Sequence, residues 1–379
     1  MKVLLLGEYS NVHWTLAEGL RQLGHEVTVV SNGDFWKNYP RDIDVSRHSS
    51  SSFDGVRLAL RIALLLPRLR GYDVVQLINP MFFELRAERL LPIYRYLRRH
   101  NRHVVLGAFG MDWYWVHTCT VEKPLRYSDF NIGDQVRTDP PAVREQRDWL
   151  GTAKERLNRL IAADCDAIVT GLYEYDVCYR PVFPDKTTYI PFPIRLPDTY
   201  ATERCKRSKV IIFIGINRER SAYKGTDIML QAALDLRNRY AHRMKLVVAE
   251  SVPFDEYQQM MEGSDALLDQ LYAYTPSMNP LLAMSKGIIC IGGGEPENYE
   301  ILGETELRPI INVQPTYESV YQELEQLILH PERIAPLKWQ SREYVSRHHD
   351  YLKVARQYEK LYKQLQKSPR NLCAFGSFS

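Results

Sequence analysis

The sequence predicts an α/β protein with two domains, each built on a parallel β-sheet. Its 379 residues are enough for two separate cores, and 45% of them are hydrophobic. Short apolar runs alternate with longer segments of helical period, which is typical of strand-helix-strand units. A stretch rich in proline and then in charge, residues 191–207, divides this alternation into two series. We therefore expect two domains joined by a linker.

The first series covers residues 1–190. Its apolar runs KVLLL, EVTVV, DVVQLI, HVVLGAF and DAIVT are separated by patterns of helical period. Strands as apolar as these are usually buried on both faces by covering helices. Residues 116–146 fit no regular period, and we expect them to form an ordered insertion near the ligand site.

The second series covers residues 208–345 and begins with the apolar run KVIIFI. Residues 346–367 have the pattern of a long amphipathic helix, and residues 368–379 form a polar tail that we expect to be flexible. In open parallel sheets, ligands bind at the carboxyl ends of the strands. Two such sheets in tandem therefore predict a ligand site in the cleft between the domains.

Composition excludes several classes of protein. A net charge of +3 is too small to indicate nucleic-acid binding. The six cysteines are scattered without metal-ligand spacing, so we expect no zinc site, no other bound metal and no disulfide framework. No run approaches the roughly 20 apolar residues of a membrane helix. We expect a cytoplasmic protein.

The segment GINRERSAYKGTD, residues 215–227, indicates an anion site. Gly215 lets the chain turn close to a ligand as a strand ends, and Arg220 and Lys224 supply two cations ahead of a helix, with Arg218 as a weaker candidate. A diphosphate fits these features. The alternative is a solvated surface turn, but the position after the first strand of the second domain favours the anion site.

A second segment, residues 268–300, places a turn before a helix and then three glycines beside acidic residues. The turn can cap the helix and present backbone amides to the same phosphates. The glycines allow close approach of a ligand, and the carboxylates can accept hydrogen bonds from sugar or ribose hydroxyls. The candidate donor-binding residues of this segment are Tyr274, Thr275, Ser277, Met278, Asn279, Gly293, Glu295 and Glu297.

Two strand ends of the first domain carry candidate acceptor residues. Asn11 and His13 follow the first strand, where His13 could orient an acceptor hydroxyl or a donor phosphate. Asp112 and Tyr114 follow a later strand in the segment GMDWYW, and an aromatic face beside a carboxylate suits a sugar ring. Each pair has a structural alternative, as a capping histidine in the first case and as core packing in the second.

Residues 57–103 carry ten arginines against three acidic residues. A basic, amphipathic face on the acceptor domain suits an anionic membrane surface, and solvated helix faces have the same composition. The segment therefore leaves open a peripheral position at the inner face of the membrane.

Three segments together resemble the GT-B glycosyltransferases of the family 4 type. They are GEYSNVHWTLAEGLRQLGHEVTVVS, FIGINRERSAYKGTDIML and residues 264–300. The resemblance covers residues 1–365 and extends in particular to bacterial polysaccharide-biosynthesis members. It implies two Rossmann-like domains, a nucleotide-sugar donor held mainly by the second, an acceptor held mainly by the first, and a C-terminal helix that crosses back to the first.

The resemblance also assigns roles to residues. The basic pair that holds the donor diphosphate falls on Arg220 and Lys224, and the loop before the long helix falls on 275–277. The family usually has two glutamates eight positions apart, where this sequence has Tyr274 and Leu282. Their contacts to ribose and sugar would then fall to Glu295 and Glu297.

These features predict a glycosyltransferase that moves a sugar from a nucleotide-diphosphate sugar to a carbohydrate or lipid-linked acceptor. Arg220, Lys224 and His13 are its expected catalytic residues. We expect no cofactor besides the nucleotide sugar as co-substrate, and the resemblance implies a retaining, metal-independent transfer. The alternatives are a nucleotide-sugar epimerase of similar architecture and a degenerate member that binds a nucleotide without catalysis.

Overall fold

The computed structural model describes residues 1–49, 51–198, 209–252 and 254–367. Residues 199–208, which include most of the charged half of the predicted linker, and the predicted tail 368–379 lie outside the described residues. The described chain forms one seven-stranded sheet, one five-stranded sheet and a two-stranded hairpin.

The first sheet and its helices occupy the N-terminal half. Its strands are short, apolar and almost wholly buried, as expected of parallel strands covered by helices on both faces. The elements are β1 (Lys2–Leu6), α1 (Val12–Gln22), β2 (Glu26–Ser31), β3 (Ile43–Asp44), α2 (Ser52–Leu65), β4 (Val74–Leu77), α3 (Ala87–His100), β5 (His103–Ala108), α4 (Trp113–Val121), β6 (Asn131–Ile132), β7 (Gln135–Val136), α5 (Pro140–Trp149), α6 (Ala153–Asp164), β8 (Ala167–Thr170), α7 (Tyr173–Tyr179) and β9 (Thr187–Tyr189).

The second sheet repeats the alternation of strands and helices. Its elements, with the helices that follow, are β10 (Val210–Ile216), α8 (Ser221–Lys224), α9 (Thr226–Arg239), β11 (Met244–Glu250), α10 (Phe254–Met261), β12 (Ala266–Leu268), α11 (Met278–Ser285), β13 (Ile289–Gly292), α12 (Pro296–Leu302), β14 (Ile311–Asn312), α13 (Tyr317–Leu329), α14 (Ile334–His348) and α15 (Tyr351–Lys367).

Both large sheets are parallel and doubly wound. The strand order is β3-β2-β1-β4-β5-β8-β9 in the first sheet and β11-β10-β12-β13-β14 in the second. The direction of winding therefore reverses beside β1 and beside β10. Because ligands of such sheets bind outside the carboxyl ends of the strands at this reversal, the loops after β1 and β10 are the expected site walls.

The last described helix packs on the first domain. A Cβ atom on Gly19 of α1 would lie 2.7 Å from the Cβ of Ala355 and 2.8 Å from the carbonyl oxygen of Tyr351, so α1 and α15 touch at backbone distance. The sequence predicted one helix over 346–367, whereas α14 and α15 are separated by a break. The break arises because Ile194 bonds the carbonyl of His349 and the N–H of Tyr351.

The segment 116–146 is ordered. It consists of the end of α4, the hairpin β6-β7 and most of α5. It lies on the first domain and reaches the second, because Arg137 donates to the carbonyl oxygens of Ala222 and Tyr223 at 3.0 and 3.1 Å. This insertion is therefore one of the places where the two domains are joined.

Candidate functional site

A cleft of about 1110 Å³ lies between the two domains. The first domain lines it with the loops after β1 and β2 and with residues 193–195, and the second with the loops after β10, β11 and β12 and the start of α11. The lining includes Ser10, Asn11, Asp34, Phe35, Lys37, Tyr39, Gly215, Arg220, Lys224, Tyr257, Asp269, Ser277, Met278, Asn279 and Leu282.

Two of the three predicted cations in the basic loop after β10 lie on the cleft. Arg220 and Lys224 line it, and within the described ranges neither side chain forms a hydrogen bond or an ion pair; the Arg220 guanidinium lies 5.3 Å from the Tyr223 ring centroid. Arg218 instead points outward, where it pairs with Glu250. The cleft wall therefore carries two positive charges without a direct counter-ion.

A carboxylate that sequence reasoning missed accompanies Lys224. Asp269 directly follows β12 and lines the cleft. Burial raises the pKa of Asp269 to about 6, opposed by the charge of Lys224. Burial likewise lowers the pKa of Lys224, opposed by Asp269. The sequence signal was its position at the carboxyl end of a strand of the second sheet, the same signal that marks Gly215.

Helix α11 begins at the cleft with Ser277, Met278 and Asn279. The first turn of a helix leaves backbone N–H groups without intrahelical partners, so this end can receive an anion. The amide of Asn279 donates to the Tyr257 hydroxyl at 2.9 Å. The Tyr257 ring lies against Gly215, where a Cβ atom would come within 2.5 Å of the ring. Gly215 therefore leaves room for this ring.

Tyr274 and Leu282, which occupy the positions of the two family glutamates, lie in different surroundings. Leu282 lines the cleft one turn into α11. Tyr274 is 1% exposed, and its hydroxyl accepts a 2.7 Å hydrogen bond from the backbone N–H of Arg126 in the insertion. The structure therefore does not place Tyr274 on the cleft.

Glu295 and Glu297 do not line the cleft either. The Arg126 guanidinium pairs with both carboxylates, at 2.7 Å and 2.6 Å, and Glu295 also accepts from the Tyr127 hydroxyl. The nearby Gly293 lies against backbone, since a Cβ there would be 2.2 Å from the carbonyl oxygen of Ala273. These residues join the insertion to the second domain, so their predicted contact to a sugar has no support from their placement.

Thr275 makes another contact between the domains. Its backbone N–H donates to the carboxylate of Glu174 in α7 at 3.0 Å, and the N–H of Tyr274 donates to the same oxygen at 2.8 Å. Glu174 is 5% exposed. Thr275 thus holds the loop before α11 in place and does not itself line the cleft.

In the first domain, Asn11 and His13 have different surroundings. Asn11 lines the cleft in a left-handed conformation, φ 69°, and its Oδ1 atom is buried with no hydrogen-bond partner among the described residues. His13 is fully buried, with Nδ1 2.8 Å from the carbonyl oxygen of Gly7, and burial lowers its pKa to about 3. The structure therefore supports Asn11 as a cleft residue and places His13 behind the wall.

Asp112 and Tyr114 belong to the core. Asp112 is fully buried, accepts from the N–H of Trp115 at 2.9 Å as the N-cap of α4, and accepts from the Tyr179 hydroxyl at 2.7 Å. The Tyr114 ring packs 4.5 Å from the Tyr179 ring. The aromatic and acidic pattern arises from helix capping and packing, and neither residue lines the cleft.

The loop after β2 supplies cleft residues that the sequence did not single out. Asp34 accepts from the Lys37 ammonium at 2.6 Å and from the N–H of Ser10 at 2.8 Å. Phe35 has a φ of 58° and is 59% exposed. The segment NGDFWKNY had the turn composition of a strand end, which was the available signal. A carboxylate, an ammonium and an aromatic ring thus face the basic loop from the opposite wall.

Within the described ranges, His, Cys, Asp and Glu side chains form no cluster of three or more that could hold a metal ion. No described helix has both the length and the apolar composition needed to span a membrane.

No protein-family model matches the sequence, and no curated protein matches it. Solved structures do resemble it. Sucrose-phosphate synthase from Thermosynechococcus elongatus matches with a TM-score of 0.64 at 12% identity, over 97% of this chain and 100% of that one. Anabaena HepE in complex with UDP and glucose matches with a TM-score of 0.59 at 11% identity, over 96% of this chain and 100% of that one.

The chain has the GT-B fold. The same fold is shared by a protein of Listeria monocytogenes assigned as a UDP-N-acetylglucosamine 2-epimerase, with a TM-score of 0.56 at 10% identity over 97% of this chain and 98% of that one. At these identities the likeness establishes the architecture, and the function must be argued from the cleft.

Proposed function

We propose that the protein is a glycosyltransferase that moves a sugar from a nucleoside-diphosphate sugar to a carbohydrate or lipid-linked acceptor in surface polysaccharide or glycoconjugate synthesis. The observation that carries the proposal is the pair Arg220 and Lys224, which line an interdomain cleft without a direct counter-ion among the described residues. A diphosphate group supplies two negative charges, which match this wall and the adjacent start of α11.

The same arrangement can assist the chemistry. As the sugar leaves, negative charge grows on the oxygen of the departing diphosphate while the sugar becomes oxocarbenium-like. Cations fixed beside that oxygen stabilise the transition state, and a well-placed donor is worth about 3 to 4 kcal/mol. We assign this role to Arg220 and Lys224. We propose that they replace a metal ion, and that the transfer retains the anomeric configuration, as the resemblance implies.

The opposite wall has groups suited to an acceptor. The carboxylate of Asp34 can accept hydrogen bonds from hydroxyls, and the exposed ring of Phe35 can stack on the apolar face of a sugar. Asn11 lines the same wall. We propose that the acceptor lies on this side. His13 lies buried behind this wall, whereas Asp112 and Tyr114 belong to the core of the first domain.

UDP-sugars are the first donors to test, because the HepE structure contains UDP and glucose in the same fold. We propose no cofactor besides the nucleotide sugar and a cytoplasmic location.

An epimerase is the second candidate, since one neighbour with the fold is assigned to that activity. It would need acid and base groups around the sugar ring and no acceptor. Among the lining residues of the described cleft, Asp34 and Asp269 are the carboxylates that could serve. A protein that binds a nucleotide without turnover is the third candidate.

A donor panel separates these candidates. The purified protein is incubated with UDP-, GDP-, dTDP- and ADP-sugars, with and without an extract of lipid-linked and soluble carbohydrate acceptors. Thermal shift reports binding, and chromatography reports released nucleotide and the identity of the sugar. We expect one nucleotide class to stabilise the protein and its nucleotide to be released in the presence of acceptor. A changed sugar still attached to nucleotide, without acceptor, would indicate the epimerase. Binding without turnover would indicate the third candidate, and no binding would contradict all three.

A further inference from the structure

Helix α2 exposes four large apolar side chains on one face. Phe53, Val56, Leu60 and Leu64 are 77%, 47%, 61% and 81% exposed. Their spacing of three, four and four residues places them in one stripe along the helix. This set, defined here as the α2 stripe, is unusual because single exposed apolar residues are common but an aligned row of them is not.

The stripe is not the face that holds α2 to the protein. Leu58 and Ile62 point to the opposite side, are 2% and 0% exposed, and pack in the core of the first sheet. The helix is therefore apolar on two opposite faces. One face packs in the core of the first sheet, and the other is largely exposed to solvent.

Arginines border the stripe. Arg57 on α2 and Arg68 and Arg70 just after it are exposed. Arg89 of α3 reaches the start of α2, where it donates to the carbonyl oxygen of Gly55 at 3.5 Å.

Acidic groups near the stripe are few. Asp54 is the one acidic residue of α2. Its carboxylate accepts from the Ser49 hydroxyl, and its backbone N–H donates to the hydroxyl oxygen of Ser51, the N-cap of the helix. Exposed Glu88 lies in the first turn of α3. The surface around the α2 stripe therefore carries an excess of positive charge.

The stripe is connected to the rim of the cleft. Arg61 of α2 donates to the carbonyl oxygen of Asp44 at 2.9 Å, and the Ser46 hydroxyl donates to that of Asn32 at 3.2 Å. Asn32 precedes the loop that lines the acceptor wall with Asp34 and Phe35. A surface bound through α2 would therefore lie next to the acceptor side of the cleft.

We propose that the α2 stripe and its arginines dock the protein on a bilayer that contains anionic phospholipid. Apolar side chains that insert at the headgroup boundary and cations that meet anionic headgroups together match this surface. A second copy of the chain fits less well, because a two-fold contact through this face would bring the arginines of both copies together. The inference does not depend on the donor or on catalysis.

The test is co-sedimentation of the full chain with vesicles, without nucleotide. Vesicles of phosphatidylcholine alone are compared with vesicles containing 30% phosphatidylglycerol, at low and high salt. The apolar variant is Leu60→Gln with Leu64→Gln. Its control is Val121→Gln with Val182→Gln, which removes two apolar side chains that are 60% and 52% exposed elsewhere. Because all four residues are exposed, the variants should fold, and thermal unfolding checks this.

We expect the wild type and the control to bind anionic vesicles, and the apolar variant to bind at least about tenfold more weakly. Binding should fall with added salt and with Arg57→Glu combined with Arg68→Glu. Equal binding by the apolar variant, or no binding by the wild type, would overturn the proposal. A wild-type dimer that becomes a monomer in the apolar variant would overturn it in favour of a subunit interface.

Discussion

Two side chains four positions apart, Arg220 and Lys224, carry most of the functional argument. Like charges at this spacing on a helical turn destabilise it by a few tenths of a kcal/mol. Arg218, in the same loop, points outward and pairs with Glu250, so its charge is balanced. Neither of the other two cations forms a direct ion pair among the described residues, although the charge of Asp269 acts on Lys224, so an anionic ligand best explains their position on the cleft wall.

We expect Asp269 to make donor binding depend on pH. Its pKa is raised to about 6, so it is ionised at pH 7 and mostly neutral at pH 5. An ionised Asp269 opposes an anionic ligand beside Lys224. We therefore expect affinity for a nucleotide sugar to rise about threefold to tenfold as pH falls from 7 to 5. Calorimetric titration with a nucleotide sugar measures this, because its diphosphate diester does not titrate in that range.

The variant Asp269→Asn should bind at pH 7 about as tightly as the wild type binds at pH 5, with a flat profile between. Asp185→Asn, at an exposed position in the first domain, is the control and should keep the wild-type profile. A variant at Asp269 that keeps the full pH dependence would contradict this role.

At the residue level, the sequence could predict which residues lie at the edge of a sheet. It could not predict whether their side chains point into the cleft or into the core. Arg220 and Asn11 follow strand ends and line the cleft, whereas His13 and Asp112 also follow strand ends and point into the core. The direction of a side chain depends on neighbours that are distant in sequence, such as the Tyr179 hydroxyl that donates a hydrogen bond to Asp112. One sequence does not reveal such partners.

At the level of elements, the insertion of 116–146 supports the basic loop from the other domain. Arg137 is 8% exposed, its guanidinium lies 3.8 Å from the Tyr272 ring centroid, and it donates to two carbonyl oxygens of α8, those of Ala222 and Tyr223. Lys224 is the next residue of that helix. The insertion therefore positions the cation that faces the cleft. Its irregular sequence predicted an ordered segment near the cleft but none of these contacts.

Removing this support should weaken donor binding. In Arg137→Ala, α8 loses two charge-assisted hydrogen bonds, and we expect the dissociation constant for the nucleotide sugar to rise roughly tenfold, or about 1.4 kcal/mol. Arg137→Lys should recover part of the affinity. Exposed Arg144 of α5 provides the control, as Arg144→Ala should bind like the wild type. Unchanged affinity in a folded Arg137→Ala protein would show that α8 keeps its place without the insertion.

At the level of the whole molecule, the two-sheet architecture could be predicted because buried parallel strands and amphipathic helices leave strong periodic patterns. The returning helix was predicted as well, apart from its break at His349, which depends on a backbone contact with Ile194. The joins between the domains could not be predicted. Arg126 with Glu295 and Glu297, and Glu174 with Thr275, pair residues that lie 101 to 171 positions apart. Thr275, Glu295 and Glu297 were predicted to bind the donor because only their local sequence was available.

We propose that Arg220 and Lys224 bind the diphosphate of a nucleotide sugar. The same loop also holds Arg218, which serves as the control. Calorimetric titration of the stabilising nucleotide sugar should be compared across Arg220→Ala, Lys224→Ala and Arg218→Ala. We predict that the first two lose at least about tenfold in affinity while Arg218→Ala, whose side chain points outward, binds like the wild type. Equal losses in all three variants would indicate a general charge effect, and wild-type affinity in Arg220→Ala and Lys224→Ala would contradict the claim.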